Sequence, residues 1–150
     1  MKNDPDSGTE RLRGRILAID YGSRRVGLAL SDPLGIISQG AGTLANSPSP
    51  AGTISALVIE KEVRKVIVGM PYAPDGGKGQ KAREVDEFIG ALRTMVAVPV
   101  EPWDESFTTV EAQRLLLAGG MKRGQRREKE RIDEMAARVL LQDYLDSSGR

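Results

Sequence analysis

Apolar residues along the chain fall first into short unbroken runs and later into helical spacing, and the change outlines the fold. Arg15 to Asp20 reads Arg-Ile-Leu-Ala-Ile-Asp and closes at Tyr21-Gly22, the pattern of a strand covered on both faces at the centre of a sheet. Arg25 to Ser31 follows after a few turn-forming residues, which predicts an antiparallel hairpin partner. Ile36 to Leu44 gives a third strand, weakened by Gly40 and Gly42. A loop rich in Ser, Pro and Asn (Ala45 to Pro50) leads into a helix over 53–63, where Ile54, Leu57, Val58 and Lys61 recur at helical spacing. Val66 to Pro71 is a buried-type strand stopped by proline, and Ala73 to Gly79 is a loop. Gln80 to Met95 is helical, with Val85, Phe88, Ile89 and Leu92 on one stripe. Val98 to Trp103 is the last strand. A helix from Thr109 to Leu117 ends at Gly119-Gly120. The basic segment Lys122 to Arg131 then precedes a final helix with Ile132, Met135, Ala136, Val139, Leu140 and Tyr144 on one face.

A three-strand meander followed by alternating helices and strands predicts an α/β fold, a mixed five-stranded sheet with helices on both faces and parallel pairing in its second half. A chain of 150 residues supports one such core. No internal repeat or linker divides it, so 15–150 reads as one domain behind a polar, disordered tail over 1–14.

Composition narrows the chemistry. The chain has no cysteine and no histidine, which removes disulfides, thiolate metal sites and the usual general base. Acid, base or metal chemistry must then rest on carboxylates, whose oxygens suit hard ions such as Mg²⁺ or Mn²⁺. With 22 Lys+Arg against 21 Asp+Glu, any affinity for nucleic acid must come from local clustering of charge. The first ten residues lack the apolar run of a signal peptide, and no stretch is apolar over the roughly 20 residues a membrane helix needs. A soluble cytoplasmic protein with no membrane contact is therefore expected.

Asp20 ends the most apolar strand, where a carboxylate is costly unless paired, hydrogen-bonded or metal-bound. The plain alternative is that it opens the turn into Tyr21-Gly22. Asp104 and Glu105 stand at the end of another strand, and ligands of open α/β sheets tend to sit beyond the carboxyl ends of strands. Either acid could equally start the following helix. Asp133 lies at the border of the last apolar stripe, where charges are usually solvated. Three such acids together match a two-metal site, in which a few carboxylates hold paired ions about 3.5–4 Å apart and no histidine is needed. Lys122, Arg123, Arg126, Arg127, Lys129 and Arg131 would lay a phosphate-binding strip beside Asp133, with Arg24 and Arg25 adding to it. Charge runs are commonly just solvated loops, so position is the argument here. Asp75-Gly76-Gly77-Lys78-Gly79 lacks the ending of a P-loop and reads as a mobile loop that could offer N–H groups to a phosphate. Trp103 could stack on a base, although a tryptophan at a strand end is more often core.

Taken in order, these pieces resemble the YqgF/RuvX family. The match runs through Ile19-Asp20-Tyr21-Gly22, Arg25-Val26-Gly27, Ser31-Asp32-Pro33, Val68-Gly69-Met70-Pro71 and Asp75-Gly76. It continues through Trp103 to Thr109 with Glu111-Ala112, and ends at Ile132-Asp133 with Ala136-Ala137. The resemblance implies a ribonuclease H-like fold, shared with RuvC-type Holliday-junction resolvases, and a metal-dependent nuclease that matures the 5′ end of pre-16S rRNA. It further implies that Asp20, Glu105 and Asp133 form the metal site, to which the reading of the residues adds Mg²⁺ or Mn²⁺, two ions being expected, with Asp104 holding a ligand or a metal-bound water in place. The partners expected are precursor RNA or branched DNA and the ribosomal precursor particle, met by a monomer or a homodimer. One departure stands out: Ser106 occupies a position where family members usually carry arginine. A nucleotide-binding domain of the actin and sugar-kinase type is excluded by length, since it needs two such domains. A non-catalytic nucleic-acid-binding module is the remaining rival, and retention of three acids beside a phosphate-binding surface argues against it.

Overall fold

The computed structural model describes residues 14–105 and 126–148. Five strands, β1 (Arg15–Tyr21), β2 (Arg25–Ser31), β3 (Ser38–Ala45), β4 (Val63–Met70) and β5 (Val100–Asp104), form one sheet in the order β3-β2-β1-β4-β5. The most continuous apolar run is thus the central strand, as its pattern requires. β1 pairs antiparallel with β2, and β2 with β3, whereas β4 runs parallel to both β1 and β5. The mixed sheet and its parallel half match the sequence expectation. Helices α1 (Ala51–Glu60), α2 (Gln80–Arg93) and α3 (Arg126–Ser148) complete the described residues.

Strand alternation sends side chains to two cores. Leu17, Ile19, Val26, Leu28, Val66, Val68 and Met70 meet Ile54 and Val58 of α1 and Val85, Phe88, Ile89 and Leu92 of α2. On the other face Ile16, Ala18, Ala29 and Ile67 meet Ala136, Ala137, Leu140, Leu141 and Leu145 of α3. Alanines on both sides of the second interface, Ala18 and Ala29 on the sheet and Ala136 and Ala137 on the helix, let α3 lie close to the sheet. That closeness decides the geometry of the site.

Some boundaries move. α1 starts at Ala51 rather than Thr53, and Val63 belongs to β4, so Lys61 caps the helix instead of joining its stripe. α3 begins at Arg126, so the second half of the basic segment is helix rather than a connector. Its buried stripe is Ile132, Ala136, Ala137, Leu140, Leu141 and Leu145, with Val139 and Tyr144 packed at the border. The true stripe is centred about one position further along than the expected one, because the two alanines admit the sheet more closely than Met135 would. Residues 1–13 of the tail expected over 1–14, and the helix expected from Thr109 to Leu117, lie outside the described residues.

The Ser31-Asp32-Pro33 motif holds the β2–β3 loop. Ser31 Oγ accepts the Ile16 N–H at 2.8 Å and donates to the Asp32 carbonyl at 2.8 Å. The Asp32 carboxylate accepts the N–H groups of Leu34 (3.2 Å), Ile36 (2.7 Å) and Ile37 (2.7 Å). Partial desolvation works to raise the Asp32 pKa, but the N–H groups of Ile37, Ile36 and Leu34 together outweigh it and hold the carboxyl below its ordinary range.

Candidate active site

Asp20 sits next to the last residue of β1 and is only 5% exposed. It shares the α3 face of the sheet with Ile16 and Ala18. Its neighbour across the hairpin is Gly27 of β2. On the other side Ile19 pairs with Val68, so Gly69 follows one step along β4 as Asp20 follows one step along β1. Two glycines therefore flank the buried carboxylate on one face.

Each glycine leaves space that another part of the chain fills. A Cβ on Gly27 would collide with the carbonyl oxygen of Asp133 and stand 2.5 Å from its carbonyl carbon. The first half of α3 thus rests on bare backbone beside Asp20. A Cβ on Gly69 would stand 2.5 Å from Glu105 Oε1 and 3.1 Å from Leu140 Cδ2. The Glu105 carboxylate thus lies over β4, directly after β5, where its N–H donates to the Met70 carbonyl at 3.3 Å. Glycine in a strand interior marks a close approach of this kind. Asp20, Glu105 and Asp133 are thereby brought to one face at one end of the sheet.

Their side chains are not gathered into a closed cage. Among the described residues no set of three or more Asp or Glu groups stands ready to hold a metal ion. Asp133 Oδ2 instead lies 3.5 Å from Arg25 Nε, with the two side chains 21% and 17% exposed. Arg25 and Gly27 share the α3 face, which places the guanidinium beside the first half of α3. The all-oxygen donor set and the glycine-floored cradle suit a hard divalent cation such as Mg²⁺ or Mn²⁺. Asp104 pairs with Met70 in register, and alternation puts it on the face opposite Glu105 and Asp20. Of these two acids it is Glu105, directly after β5, that lies on the face of Asp20.

The remaining expected residues divide. Arg24 is exposed next to Arg25. Arg127 and Arg131 line an open recess of about 300 Å³ with Gly42, Thr43, Glu130 and Glu134. Arg131 also pairs with Glu128 at 2.8 Å. Lys129 is half-buried in the same helix, while Lys122, Arg123 and Ser106 lie outside the described residues, as does the side chain of Arg126. Trp103 belongs to the α3 core: its Nε1 donates to Asp143 Oδ2 at 3.0 Å, and its ring meets Tyr144 edge-on at 5.0 Å. Trp103 is thus packed, partly buried, against the α3 core, in line with the plainer reading of that residue. The loop from Asp75 is closed on itself, the Gly77 N–H bonding Asp75 Oδ1 at 2.8 Å, with Lys78 paired to Asp86 at 2.7 Å.

Sequence reasoning missed Gly27, Gly69 and Glu134 as parts of this arrangement. Glu134 accepts the Gly42 N–H at 2.6 Å, and its carboxyl carbon stands 2.6 Å from where a Cβ of Gly40 would be. The glycines that weakened the third strand on paper are the slot that anchors α3. Glycine inside an apolar strand was the available signal for all of them.

Comparison with known proteins gives the family and the fold. Residues 14–147 match the model of a family described as RuvX, Holliday junction resolvase. The chain belongs to the RuvX family. Relatives named as candidate pre-16S rRNA nucleases include those of Pelotomaculum thermopropionicum, 41% identical over 91% of this chain and 89% of the relative, and Koribacter versatilis, 39% identical over 92% and 90%. A third, from Acetivibrio thermocellus, is 41% identical over 91% of this chain and 98% of its own. The fold is similar to that of T. thermophilus RuvC solved with a Holliday junction substrate, with a TM-score of 0.52, 19% identity, and 91% and 97% of the two chains covered. The RuvX family and these relatives are named for nucleases, which are hydrolases, and RuvC supplies the ribonuclease H-like architecture that the resemblance implied. Among the described residues no helix is long and apolar enough to cross a membrane.

Proposed function

We propose that this RuvX protein is a divalent-metal-dependent nuclease that trims the 5′ end of pre-16S rRNA in the cytoplasm, with Asp20, Glu105 and Asp133 as its catalytic carboxylates. The observation that carries the reading is the pair of glycines flanking Asp20: Gly27 seats the backbone of Asp133 and Gly69 seats the carboxylate of Glu105 on the face that holds Asp20. A buried carboxylate with two further acids seated on its face has a purpose in binding cations, since clustering negative charge beside a phosphate backbone otherwise weakens binding. Mg²⁺ or Mn²⁺, two ions in this reading, supplies an activated water and stabilises the leaving oxygen when bound. The chain's own part is to fix the carboxylates from rigid strands and a long helix, and to hold the phosphate backbone with Arg24, Arg25, Arg127 and Arg131, and with Lys122, Arg123 and Arg126 nearby in sequence. Asp104, on the opposite face, is not assigned a ligand role. The names of the relatives favour precursor rRNA as substrate, met free or in a ribosomal precursor particle, and the family description keeps a four-way DNA junction as the second candidate.

The test is cleavage of labelled pre-16S leader RNA and of a four-way DNA junction by purified protein with Mn²⁺ or Mg²⁺. Metal-dependent cutting is expected, with RNA preferred. Asp20→Asn is expected to lose more than the roughly 10- to 100-fold that removal of a ligand's supporting partner costs. An Asp20→Asn protein that cuts as well as the parent refutes the site, and preference for the junction refutes the substrate.

A further inference from the structure

We propose that Arg25 is a positioning residue that competes with the divalent cation for Asp133, so that cation binding releases the guanidinium toward the phosphate of the nucleic acid. The proposal deepens the metal-site reading above and rests on it. The backbone of Asp133 is fixed, because its carbonyl lies on Gly27 and Glu134 next to it bonds the Gly42 N–H. The Asp133 side chain, by contrast, can change rotamer without moving the helix. In this structure Oδ2 is directed to Arg25 at 3.5 Å, longer than the roughly 2.7–2.9 Å of a charge-assisted hydrogen bond. The contact is close enough to offset the repulsion among carboxylates on one face, and loose enough to be exchanged. Both side chains are about four-fifths buried, so the pair is less screened than one in open solvent and a competitor of this strength registers in cation affinity.

The consequence is a coupling between two ligands. A cation that draws Asp133 toward Asp20 leaves Arg25 without that contact, at the rim it shares with exposed Arg24. A phosphate is the natural replacement partner for a guanidinium there. Cation and nucleic acid then favour one another through Arg25, and by linkage the effect runs equally in both directions.

Isothermal titration with Mn²⁺ in the absence of nucleic acid tests this independently of cutting. Arg25→Gln is expected to bind Mn²⁺ about 3- to 10-fold more tightly than Arg24→Gln, the control that removes the same charge one residue away. The difference is expected to vanish in an Asp133→Asn background. Equal or weaker binding by Arg25→Gln overturns the proposal, and damage to the fold would also weaken binding rather than tighten it. Should Arg25→Gln not fold, the Arg25 Nε–H resonance of the parent, followed by NMR during Mg²⁺ titration, is expected to shift to saturation and to stay fixed in Asp20→Asn. A resonance unmoved by saturating Mg²⁺ overturns the proposal too. If Asp20→Asn binds Mn²⁺ as tightly as the parent, the metal-site reading has failed; if only Arg25→Gln and Arg24→Gln coincide, the competition alone has failed.

Discussion

Alanine at Gly27 and at Gly69 separates the seating of the backbone from the seating of a side chain. At Gly27 the new Cβ meets the Asp133 carbonyl group, with the carbon at 2.5 Å where ordinary contact is about 3.5 Å. Backbone cannot rotate away, so the first half of α3 must move by about 1 Å. Overpacking of this kind costs roughly 1–3 kcal/mol, while replacing a strand glycine recovers about 0.5–1 kcal/mol of backbone entropy. With backbone in the way the cost lies in the upper half of that range, so the net is a loss of about 1–2.5 kcal/mol, read in a thermal melt as a fall of about 2–10 °C for a chain of this size. A 1 Å misplacement of Asp133 costs on the order of 10²-fold in cutting rate. At Gly69 the groups in the way are the Glu105 Oε1 at 2.5 Å and the Leu140 Cδ2 at 3.1 Å, both ends of movable side chains. Gly69→Ala is therefore expected to change stability by less than about 1 kcal/mol while turning the Glu105 carboxylate away, with a similar loss of rate. A Gly27→Ala protein with the parent's melting temperature would refute the seating of α3 on β2. Full activity in Gly69→Ala would refute the need for Glu105 over β4.

Two further substitutions test the frame around the site. Asp32→Ala removes the acceptor of three backbone N–H groups and is expected to cost about 1–2 kcal/mol at neutral pH. Because the folded-state pKa lies below the ordinary value, that contribution is fully present above the unfolded-state pKa of about 3.9 and is lost as pH falls through the lower folded value. Urea melts should show a constant gap between parent and variant near neutrality that closes on acidification, and a gap that grows would refute the assignment. Trp103→Phe removes the bond to Asp143 and alters the edge contact with Tyr144, for an expected loss of about 1–3 kcal/mol in urea melts. An unchanged midpoint would show that Trp103 does not tie β5 to α3.

The strands were legible because a sheet covered on both faces writes itself as apolar runs: β2 falls at Arg25–Ser31 as expected, and β1 extends the expected run by one residue. Pairing direction followed from connection length. The phase of α3 was not legible from its own pattern, since Ala136 and Ala137 count weakly as apolar residues yet sit at the centre of the contact. Which acids share a face was legible only through the order of motifs. Spacing alone treats Asp104 and Glu105 alike, and it is the pleat of β5, with Trp103 held under α3, that directs Glu105 to the side of Asp20.

The same reasoning explains why small residues recur around Asp20. A carboxylate site at the end of a central strand must let two other chain segments approach within side-chain length of bare backbone, and any Cβ in that path lengthens the reach by more than a short acidic side chain can cover. Gly27 solves this for Asp133, whose backbone itself has to descend. Gly69 solves it for Glu105, whose longer side chain needs only room for its carboxylate. Asp at the seated helix and Glu at the strand end are thus not interchangeable choices. The shorter acid belongs where the backbone is already in contact, and the longer one where it must reach across β4. Arg25, on the same face and two residues from Gly27, completes the arrangement by giving the seated aspartate a basic partner at 3.5 Å, which offsets repulsion among the acids on that face.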